Sequence, residues 1–469
     1  MRNARRLVVR ELNVGFPSPT DAFAALTRPR DDAFLLESVG VEADGRYAYV
    51  GVNPSAIIRG DGRSLTRCPR GDTAVRLGGA PIDALKTILA RRAVDRPIGL
   101  PPFCGGLVGT LGWRVSGWTE RLPSRLGADK NFPDLLLGEF DDVVAFDNQQ
   151  KRAFVMSVGE NSRSAKSRVD ALVKKLLRAI PERKATSMVP HVVPKFSSAG
   201  RAVFLAAVKR ALAYIRAGDV FQVVISHRFS LDHAPDGFAI YRALRALNPS
   251  PYLFYIRLAG RELIGASPEA LVSVRGRKMS LRPIAGTRPR GATANLDATA
   301  ERELFADPKE RAEHVMLVDL ARNDVGRVSK IGTVRVEDLM QVERYSHVMH
   351  LVSRVRGMLR PDVDALDALM AAFPAGTVSG APKIRAMEII DELEGVPRGP
   401  YAGGVGYFSD TGDLDLALTI RTLMKRGSKL FAQAGAGIVA GSRPSSEWLE
   451  VQAKAAAVLR AVEIARGDS

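Results

Sequence analysis

The pattern of apolar residues differs between the two halves of the chain. From residue 201 onward, apolar residues recur every three or four positions, which predicts amphipathic helices at 201–217, 308–319, 365–372, 383–393 and 446–466. Short apolar runs bounded by turn residues predict strands at 220–226, 252–258, 262–265, 270–275 and 429–434. The helices are not spaced regularly between the strands, so we expect an α+β fold with antiparallel sheet rather than a doubly wound parallel sheet.

The first half of the chain is rich in turn residues. From residue 32 to about residue 156, short strand-like runs alternate with Gly, Asp and Pro, which predicts mostly β structure. A basic helix is predicted at 168–180, and a Pro-containing linker follows at 187–194. We therefore predict three parts, which are an N-terminal region at 1–160, a helix and linker at 161–200, and a third region at 201–469.

The composition is that of a folded protein, since 46% of the 469 residues are hydrophobic and 25% are charged. The two cysteines, Cys68 and Cys104, belong to no CxxC or Cys/His cluster, so neither a disulfide framework nor a zinc site is expected. No apolar run approaches the roughly 18 residues that a membrane helix needs. The basic start of the chain lacks the apolar core of a signal peptide. We expect a cytoplasmic protein without a membrane segment.

The chain is basic, with 68 Lys and Arg residues against 51 Asp and Glu residues and a net charge of +17. This excess is scattered, and its densest runs are not interleaved with aromatic residues as a base-stacking surface would be. The charge is also compatible with an anionic substrate. We expect no nucleic-acid partner. A basic nucleic-acid-binding or regulatory subunit is the non-enzymatic alternative, and it leaves the acidic residues described next unexplained.

Two pairs of glutamates begin predicted helices. Glu310 and Glu313 lie three residues apart on one face, and so do Glu447 and Glu450. Each pair alone has an ordinary explanation, because acidic residues in a first turn favour the helix dipole and Glu450 can pair with Lys454. Four converging carboxylates would repel one another unless a cation lay between them, and Mg²⁺ prefers such oxygen ligands. The two pairs together indicate a magnesium site.

Three glycine-containing strings, at 283–291, 373–383 and 433–439, are candidates for ligand contacts. None is a Walker sequence or a GxGxxG that opens a helix, so nucleotide binding is disfavoured. Small residues let backbone N–H groups approach a carboxylate, although tight turns explain each string equally well. Arg421 is a charge within an apolar strand-like run and must be paired or ligand-bound. His350 is a candidate general acid or base, although a structural histidine is the commoner case.

Taken together, these strings resemble the chorismate-utilising enzymes, and most of all component I of anthranilate synthase. The resemblance is dense from about Phe221 to Lys454 and weaker before that. It implies an α+β fold of two antiparallel sheets packed face to face with helices outside, and a site for chorismate and Mg²⁺ between the sheets. It also implies that the first predicted region is of a regulatory type and that the third is catalytic.

The resemblance assigns roles to individual residues. It implies Mg²⁺ on Glu313 and Glu450, with Glu310 and Glu447 beside them directly or through water. The implied substrate contacts, which suit the two carboxylates of chorismate, are Gln222, Gly286, Thr287, Tyr401, Arg421, Gly435, Ala436, Gly437 and Lys454. The candidate catalytic residues are Glu269 as the acid for a departing hydroxyl, Thr377 as its hydrogen-bonding neighbour, and His350 as the proton carrier in pyruvate elimination.

Two positions separate the branches of this family. At Gln222, members that use water carry a lysine that deprotonates it, and at Ala285 the aminodeoxychorismate synthases typically carry a nucleophilic lysine. Both lysines are absent here, which favours addition of ammonia at carbon 2, loss of the 4-hydroxyl and elimination of pyruvate to give anthranilate for tryptophan biosynthesis. The alternatives are component I of aminodeoxychorismate synthase, in the 4-aminobenzoate and folate pathway, and an aminodeoxyisochorismate synthase.

The resemblance also implies a partner and an inhibitor. Neither cysteine lies in a Gly-x-Cys-x-Gly nucleophile turn, so ammonia would come from a separate glutamine amidotransferase subunit in a hetero-oligomer. Ser38 and the run Pro251, Tyr252 and Leu253 resemble a tryptophan feedback site. The sequence departs from the family pattern at Ala48, which stands where a serine is usual.

Overall fold

The computed structural model describes residues 5–13, 15–39, 46–178, 200–344 and 348–467, apart from the side chains of Thr287, Lys309 and Val348. Numbered in chain order, helices α1 to α10 are Pro19–Leu26, Pro81–Arg92, Ser162–Leu176, Arg201–Arg216, Gly237–Leu247, Ala294–Ala306, Pro308–Gly326, Ala365–Ala372, Lys383–Leu393 and Pro444–Gly467. Strands β1 to β23 are Arg6–Leu12, Ala33–Glu37, Tyr47–Val52, Ala56–Asp61, Ser64–Pro69, Val75–Leu77, Gly106–Leu111, Leu135–Phe140, Asp142–Asp147, Arg152–Gly159, Gln222–Leu231, Tyr252–Leu258, Arg261–Ser267, Ala270–Arg275, Lys278–Leu281, Ile284–Pro289, Arg335–Arg344, Val348–Met358, Gly380–Ala381, Gly404–Ser409, Leu414–Leu418, Thr422–Arg426 and Lys429–Ile438. None of the described helices is both long and apolar enough to cross a membrane.

The strands form two sheets. Neighbouring strands in the first sheet follow the order β1-β10-β9-β3-β2-β12-β13-β22-β23-β11-β19. In the second sheet the order is β16-β18-β15-β14-β21-β20-β7-β8-β4-β5-β6, and β17 pairs with β18 beside this path. Neighbours run antiparallel, as in the pairing of β11 with β23 and of β20 with β21.

Aromatic side chains pack the two sheets face to face. The ring of Phe34 on β2 of the first sheet lies 4.7 Å from the ring of Phe140 on β8 of the second sheet. The rings of Tyr49 on β3 and Tyr407 on β20 lie 5.7 Å apart in the same layer. Helices cover the outer surfaces, with α3 on β1 and β10, and α10 on β23. The predicted α+β fold of two antiparallel sheets with helices outside is confirmed.

Both ends of the chain contribute to each sheet. In the first sheet β2 pairs with β12, which sets Leu36 opposite Phe254. In the second sheet β7 pairs with β20, which sets Val108 opposite Tyr407. The sheets therefore run across the predicted boundaries at residues 160 and 200, and the division into regulatory and catalytic regions stays a prediction. The predicted linker at 187–194 lies outside the described residues.

Helix boundaries follow the apolar pattern closely in the second half of the chain. Helices α4, α8, α9 and α10 end within a residue of their predicted limits, although α10 begins two residues earlier than predicted, at Pro444. Helix α7 continues further, to Gly326. The pattern did not predict α5, because Asp-Gly at its start is typical of a turn. Asp236 instead caps α5, since its carboxylate accepts hydrogen bonds from the backbone N–H of Phe238 at 3.0 Å and of Ala239 at 2.9 Å.

Candidate active site

A cavity of about 650 Å³ lies between β11 and β23 of the first sheet, β16 and β18 of the second sheet, and helices α7 and α10. The predicted site residues that line it are Gln222, Glu269, Gly286, Glu310, Glu313, His350, Thr377, Tyr401, Arg421, Gly435, Gly437, Glu447, Glu450 and Lys454. Ala436 is buried between two of these residues on β23 and faces the other side of the sheet, because side chains alternate along a strand. The side chain of Thr287 lies outside the described residues.

The glycine string on β16 lies against the first glutamate pair. The pairing of β16 with β18 is irregular between Ala285 and Arg288, which takes Gly286 out of the regular ladder. Gly286 has φ +66°, and a Cβ there would lie 3.1 Å from the Glu310 Oε2 atom. Only glycine fits this conformation and this close approach without strain. Arg288 then binds the start of α7, donating to Glu310 at 3.3 Å and to Asp307 at 2.8 Å.

The second glutamate pair lies at the start of α10, opposite β23. Lys454 Nζ donates to Glu450 at 2.6 Å, as predicted for an i, i+4 pair, and also to the backbone oxygen of Gly435 at 3.0 Å. The lysine is therefore more than a surface partner, because it ties the helix to the glycine string of β23.

The four predicted metal-binding glutamates share one cavity but are not drawn together. Within the described ranges, no group of three His, Cys, Asp or Glu side chains is positioned to hold a metal ion. Arg288 neutralises Glu310 and Lys454 neutralises Glu450 in this arrangement. Carboxylate oxygens from two helices that line one cavity are the donor set that Mg²⁺ requires, so the residue types fit the predicted metal.

Arg421 lies in a connection between two strands. The prediction that it lies within an apolar strand is therefore wrong. Arg421 follows β21 of the second sheet, precedes β22 of the first sheet and has a left-handed φ of +50°. The surrounding run is apolar because the chain crosses here through the interior between the sheets. Arg421 Nη1 donates to the backbone oxygen of Lys454 at 3.3 Å. Burial lowers the pKa of the guanidinium, against the opposing influence of Tyr401 and Glu450.

Glu269 lies in a second crossing, between β13 of the first sheet and β14 of the second. Its Oε1 atom accepts a hydrogen bond from Thr377 Oγ1 at 2.7 Å. Burial raises the pKa of the Glu269 carboxyl to about 7, although the Thr377 hydrogen bond and the charge of Lys454 both act to lower it. A carboxyl with this pKa can donate or accept a proton near neutral pH.

His350 on β18 faces the same cavity. Its Nδ1 atom lies 2.8 Å from the backbone oxygen of Gly286. Because a carbonyl can only accept, Nδ1 carries the proton and Nε2 has the lone pair in the neutral ring. Burial lowers the pKa of His350, so the ring is neutral at physiological pH. A neutral imidazole that shares a cavity with an acid of raised pKa is suited to moving protons in both directions.

The glycines of β23 allow close approach of two polar side chains. A Cβ at Gly435 would lie 2.9 Å from the Tyr401 hydroxyl, and a Cβ at Gly437 would lie 2.6 Å from Gln222 Nε2. Gln433 also lines the cavity. It begins the third glycine-containing string, but the sequence interpretation gave it no role of its own. Its position two residues before Gly435 puts it on the same face of the strand, so the period-two pattern of β23 is the signal that could have identified it.

A second cavity, of about 340 Å³, is lined by the predicted inhibitor contacts Ser38, Pro251, Tyr252 and Leu253. Two buried hydroxyls in the residues of its wall, those of Ser38 and Tyr49, have no hydrogen-bond partner among the described residues. Ala48 does not line this cavity, because it lies on the face of β3 opposite to Tyr49. The departure from the family pattern at Ala48 thus lies outside the residues that line this cavity.

The fold and the first cavity define the class, an α+β protein whose acidic and basic side chains suit a small anionic ligand together with a cation. The family model for chorismate binding enzymes matches residues 32–460, and the chain belongs to this family.

Anthranilate synthase component 1 of Cereibacter sphaeroides is 43% identical over 98% of this chain and 94% of its own length. The corresponding protein of Streptomyces coelicolor is 46% identical over 95% of this chain and 86% of its own length. The crystal structure of anthranilate synthase component I from Streptococcus pneumoniae has a TM-score of 0.79 and 34% identity, covering 90% of this chain and 94% of that chain. The resemblance inferred from the sequence is confirmed.

Proposed function

We propose that this chain converts chorismate and ammonia into anthranilate, pyruvate and water, as the synthase component of an anthranilate synthase. The observation that carries the proposal is that one cavity contains an acid, Glu269, and two cations, Arg421 and Lys454. The same cavity is lined by Gln222 and Ala285, the two positions at which other branches of the family carry a lysine. Similarity to component 1 of other anthranilate synthases over nearly the whole chain supports it.

Binding of a dianion follows from the charges around the cavity. Arg421 and Lys454 supply positive charge for the substrate carboxylates, and the backbone of β23 beside Gly435 closes the wall. Mg²⁺ held by the glutamates of α7 and α10 would supply a Lewis acid for one of those carboxylates. In its absence the same glutamates repel the substrate, so we expect chorismate and the cation to bind together.

The first chemical step needs an acid but no base. Ammonia brings its own lone pair to carbon 2 of chorismate, and Glu269 donates a proton to the 4-hydroxyl, which leaves as water. Gln222 is a neutral amide and cannot deprotonate water, so water does not compete as the nucleophile. Ala285 has no nucleophilic atom, so addition is direct and no covalent enzyme intermediate forms.

The second step removes pyruvate and makes the ring aromatic. The carbon 2 proton must leave while the bond between carbon 3 and the enolpyruvyl oxygen breaks. Neutral His350 can take that proton at Nε2, because Nδ1 is held by the Gly286 oxygen. The released enolpyruvate then becomes pyruvate on protonation. In this role the low pKa of His350 is useful, since only the neutral ring accepts a proton.

Ammonia would come from a separate glutamine amidotransferase subunit, so the functional assembly would be a hetero-oligomer. Neither of the two cysteines lies in the nucleophile turn that glutamine hydrolysis requires. The chain alone should therefore use ammonium salts and fail with glutamine.

The assay follows directly from this difference. Purified protein is mixed with chorismate and Mg²⁺, with either an ammonium salt or glutamine at mildly alkaline pH, and anthranilate fluorescence is recorded. We expect product with ammonium and none with glutamine. A folded protein that forms no anthranilate with ammonium would refute the proposal. A product that needs a separate lyase before pyruvate appears would instead indicate an aminodeoxychorismate or aminodeoxyisochorismate synthase.

We further propose that the second cavity binds tryptophan as a feedback inhibitor. The hydroxyls of Ser38 and Tyr49, which have no partners in the described chain, provide donors and acceptors for an amino acid, and the Tyr49 and Tyr407 rings provide a surface for an indole. Calorimetry with tryptophan tests this. Loss of one buried hydrogen bond in Ser38→Ala should weaken binding by about tenfold. Absence of any binding to the wild-type protein would refute the inhibitor site.

A further inference from the structure

A buried ion pair lies just outside the substrate cavity, at the end of α9. Arg398 and Glu394 are 2% and 4% exposed. Arg398 donates from Nε and Nη2 to the two carboxylate oxygens of Glu394, at 2.8 and 2.7 Å. Neither residue lines the cavity and neither has a part in the reaction described above. Because desolvating two charges is costly, the further contacts of such a pair indicate what it holds in place.

Arg398 binds two segments of the cavity wall. Nη1 donates to the backbone oxygen of Val378 at 2.7 Å, and Nη2 donates to the backbone oxygen of Val224 at 2.8 Å. Val224 and Val378 both line the substrate cavity. Val378 directly follows Thr377, so this bond fixes the backbone next to the hydroxyl that binds Glu269.

Glu394 reaches a third segment through a chain of hydrogen bonds. Its Oε1 atom accepts from the backbone N–H of Ser226 at 2.8 Å and from Ser226 Oγ at 2.7 Å. Ser226 Oγ in turn accepts from Gln433 Nε2 at 2.8 Å. Gln433 lies on β23 and lines the cavity. The pair thus contacts β11, the Thr377 segment and β23.

The rings around Arg398 hold the guanidinium from the remaining sides. Its Cζ atom lies 4.3 Å from the ring centre of Trp113 and 5.6 Å from that of Tyr401. Tyr401 is itself a predicted substrate contact whose hydroxyl lies near Gly435. The guanidinium plane is therefore fixed by carboxylate, carbonyl and aromatic partners together.

We propose that Arg398 and Glu394 are positioning residues of the substrate cavity, which fix the Thr377 segment, β11 and β23 relative to one another. The proposal rests on the function proposed above. Displacement of a reacting group by about 1 Å can lower a rate by about a hundredfold, so loss of this pair should affect both binding and turnover. Loss of the Ser226 branch alone should affect binding only, since that branch reaches Gln433 and not Thr377.

Three variants test this in the ammonium assay. Arg398→Met should lower kcat about tenfold and raise the KM for chorismate about tenfold, because both the Thr377 segment and the substrate wall shift. Ser226→Ala should raise KM a few-fold and leave kcat near the wild-type value. Arg92→Met is the matched control, because Arg92 is 5% exposed and binds Asp410 at 2.8 Å, away from the cavity. It should lose stability but keep its kinetic constants where it is folded.

Equal kinetics in Arg398→Met and Arg92→Met would overturn the proposal. If Arg398→Met does not fold, the test rests on Ser226→Ala. An unchanged KM for chorismate in Ser226→Ala would then overturn the proposal. If the wild-type protein makes no anthranilate, the proposed function fails, and the dissociation constant of chorismate then tests the positioning role by calorimetry. We expect Arg398→Met to weaken chorismate binding about tenfold relative to Arg92→Met, and equal affinity would contradict the role.

Discussion

At the scale of single residues, burial sets the proton chemistry of the cavity in opposite directions. It raises the pKa of Glu269 to about 7 and lowers the pKa of His350. Near neutral pH the cavity therefore contains a carboxyl that can still give up a proton and a neutral imidazole that can accept one. These directions suit the roles proposed above, in which Glu269 is the acid and His350 is the base.

Thr377→Val should move the alkaline limb of the activity profile to higher pH. The Thr377 hydrogen bond lowers the pKa of Glu269, so its loss raises that pKa. Because the protonated carboxyl is the active form, activity persists below the folded pKa and is lost above it, and the limb moves upward with the pKa. Rates should be measured at a constant concentration of free ammonia, since its protonation also changes with pH.

Thr377→Ser keeps the hydroxyl and serves as the control. The alkaline limb of its activity profile should lie at the same pH as in the wild-type protein. A downward shift in Thr377→Val, or the same limb in both variants, would show that Glu269 is not the group responsible for the pH dependence.

Residue types with a distinctive chemistry could be identified from the sequence, and others could not. Glu269 and His350 lie in strings that resemble a known family, and both line the cavity. Arg398 and Glu394 read as ordinary charges near a helix end. Their importance depends on burial against Ser226 and two backbone carbonyls from distant segments, which no local pattern encodes.

At the scale of elements, the proposed metal site depends on the paired glutamates that begin α7 and α10. Glu313→Gln should abolish stabilisation by Mg²⁺ with chorismate, which in the wild-type protein should raise the Tm by about 1–2 °C at saturating concentrations. Thermal unfolding with and without both ligands measures the difference.

Glu463→Gln is the matched control on α10. Glu463 pairs with Arg466 at 2.9 Å and does not line the cavity, so the stabilisation by the two ligands should be kept. Retention of the full ligand-induced shift in Glu313→Gln would exclude this glutamate as a metal ligand.

Elements with strong periodicity could be predicted, and crossings between sheets could not. Helices α8 and α9 follow directly from their apolar spacing. The run around Arg421 looked like one strand, because a connection through the interior is as apolar as a strand. The change of sheet there depends on pairing partners far away in the sequence, since β21 pairs with β20 and β22 pairs with β13.

At the scale of the whole molecule, the two sheets make the halves of the chain interdependent. A fragment of residues 201–469 would leave β12 without β2 and β20 without β7. We expect this fragment to lack a cooperative unfolding transition, which calorimetry or circular dichroism can measure against the full chain.

A fragment that unfolds cooperatively at a temperature near that of the full chain would contradict this interdependence. It would favour a third region that folds by itself, with the N-terminal region as an added regulatory unit.

In the reaction proposed above, one cavity joins ammonia to chorismate and completes the elimination of pyruvate. The most direct measurement is a single-turnover reaction with nitrogen-15 ammonium, chorismate and Mg²⁺, followed by mass spectrometry of all products. We predict anthranilate that carries nitrogen-15, together with an equal amount of pyruvate. Labelled 4-amino product, labelled amine that keeps its enolpyruvyl group, or no incorporation by folded protein would contradict the proposed reaction.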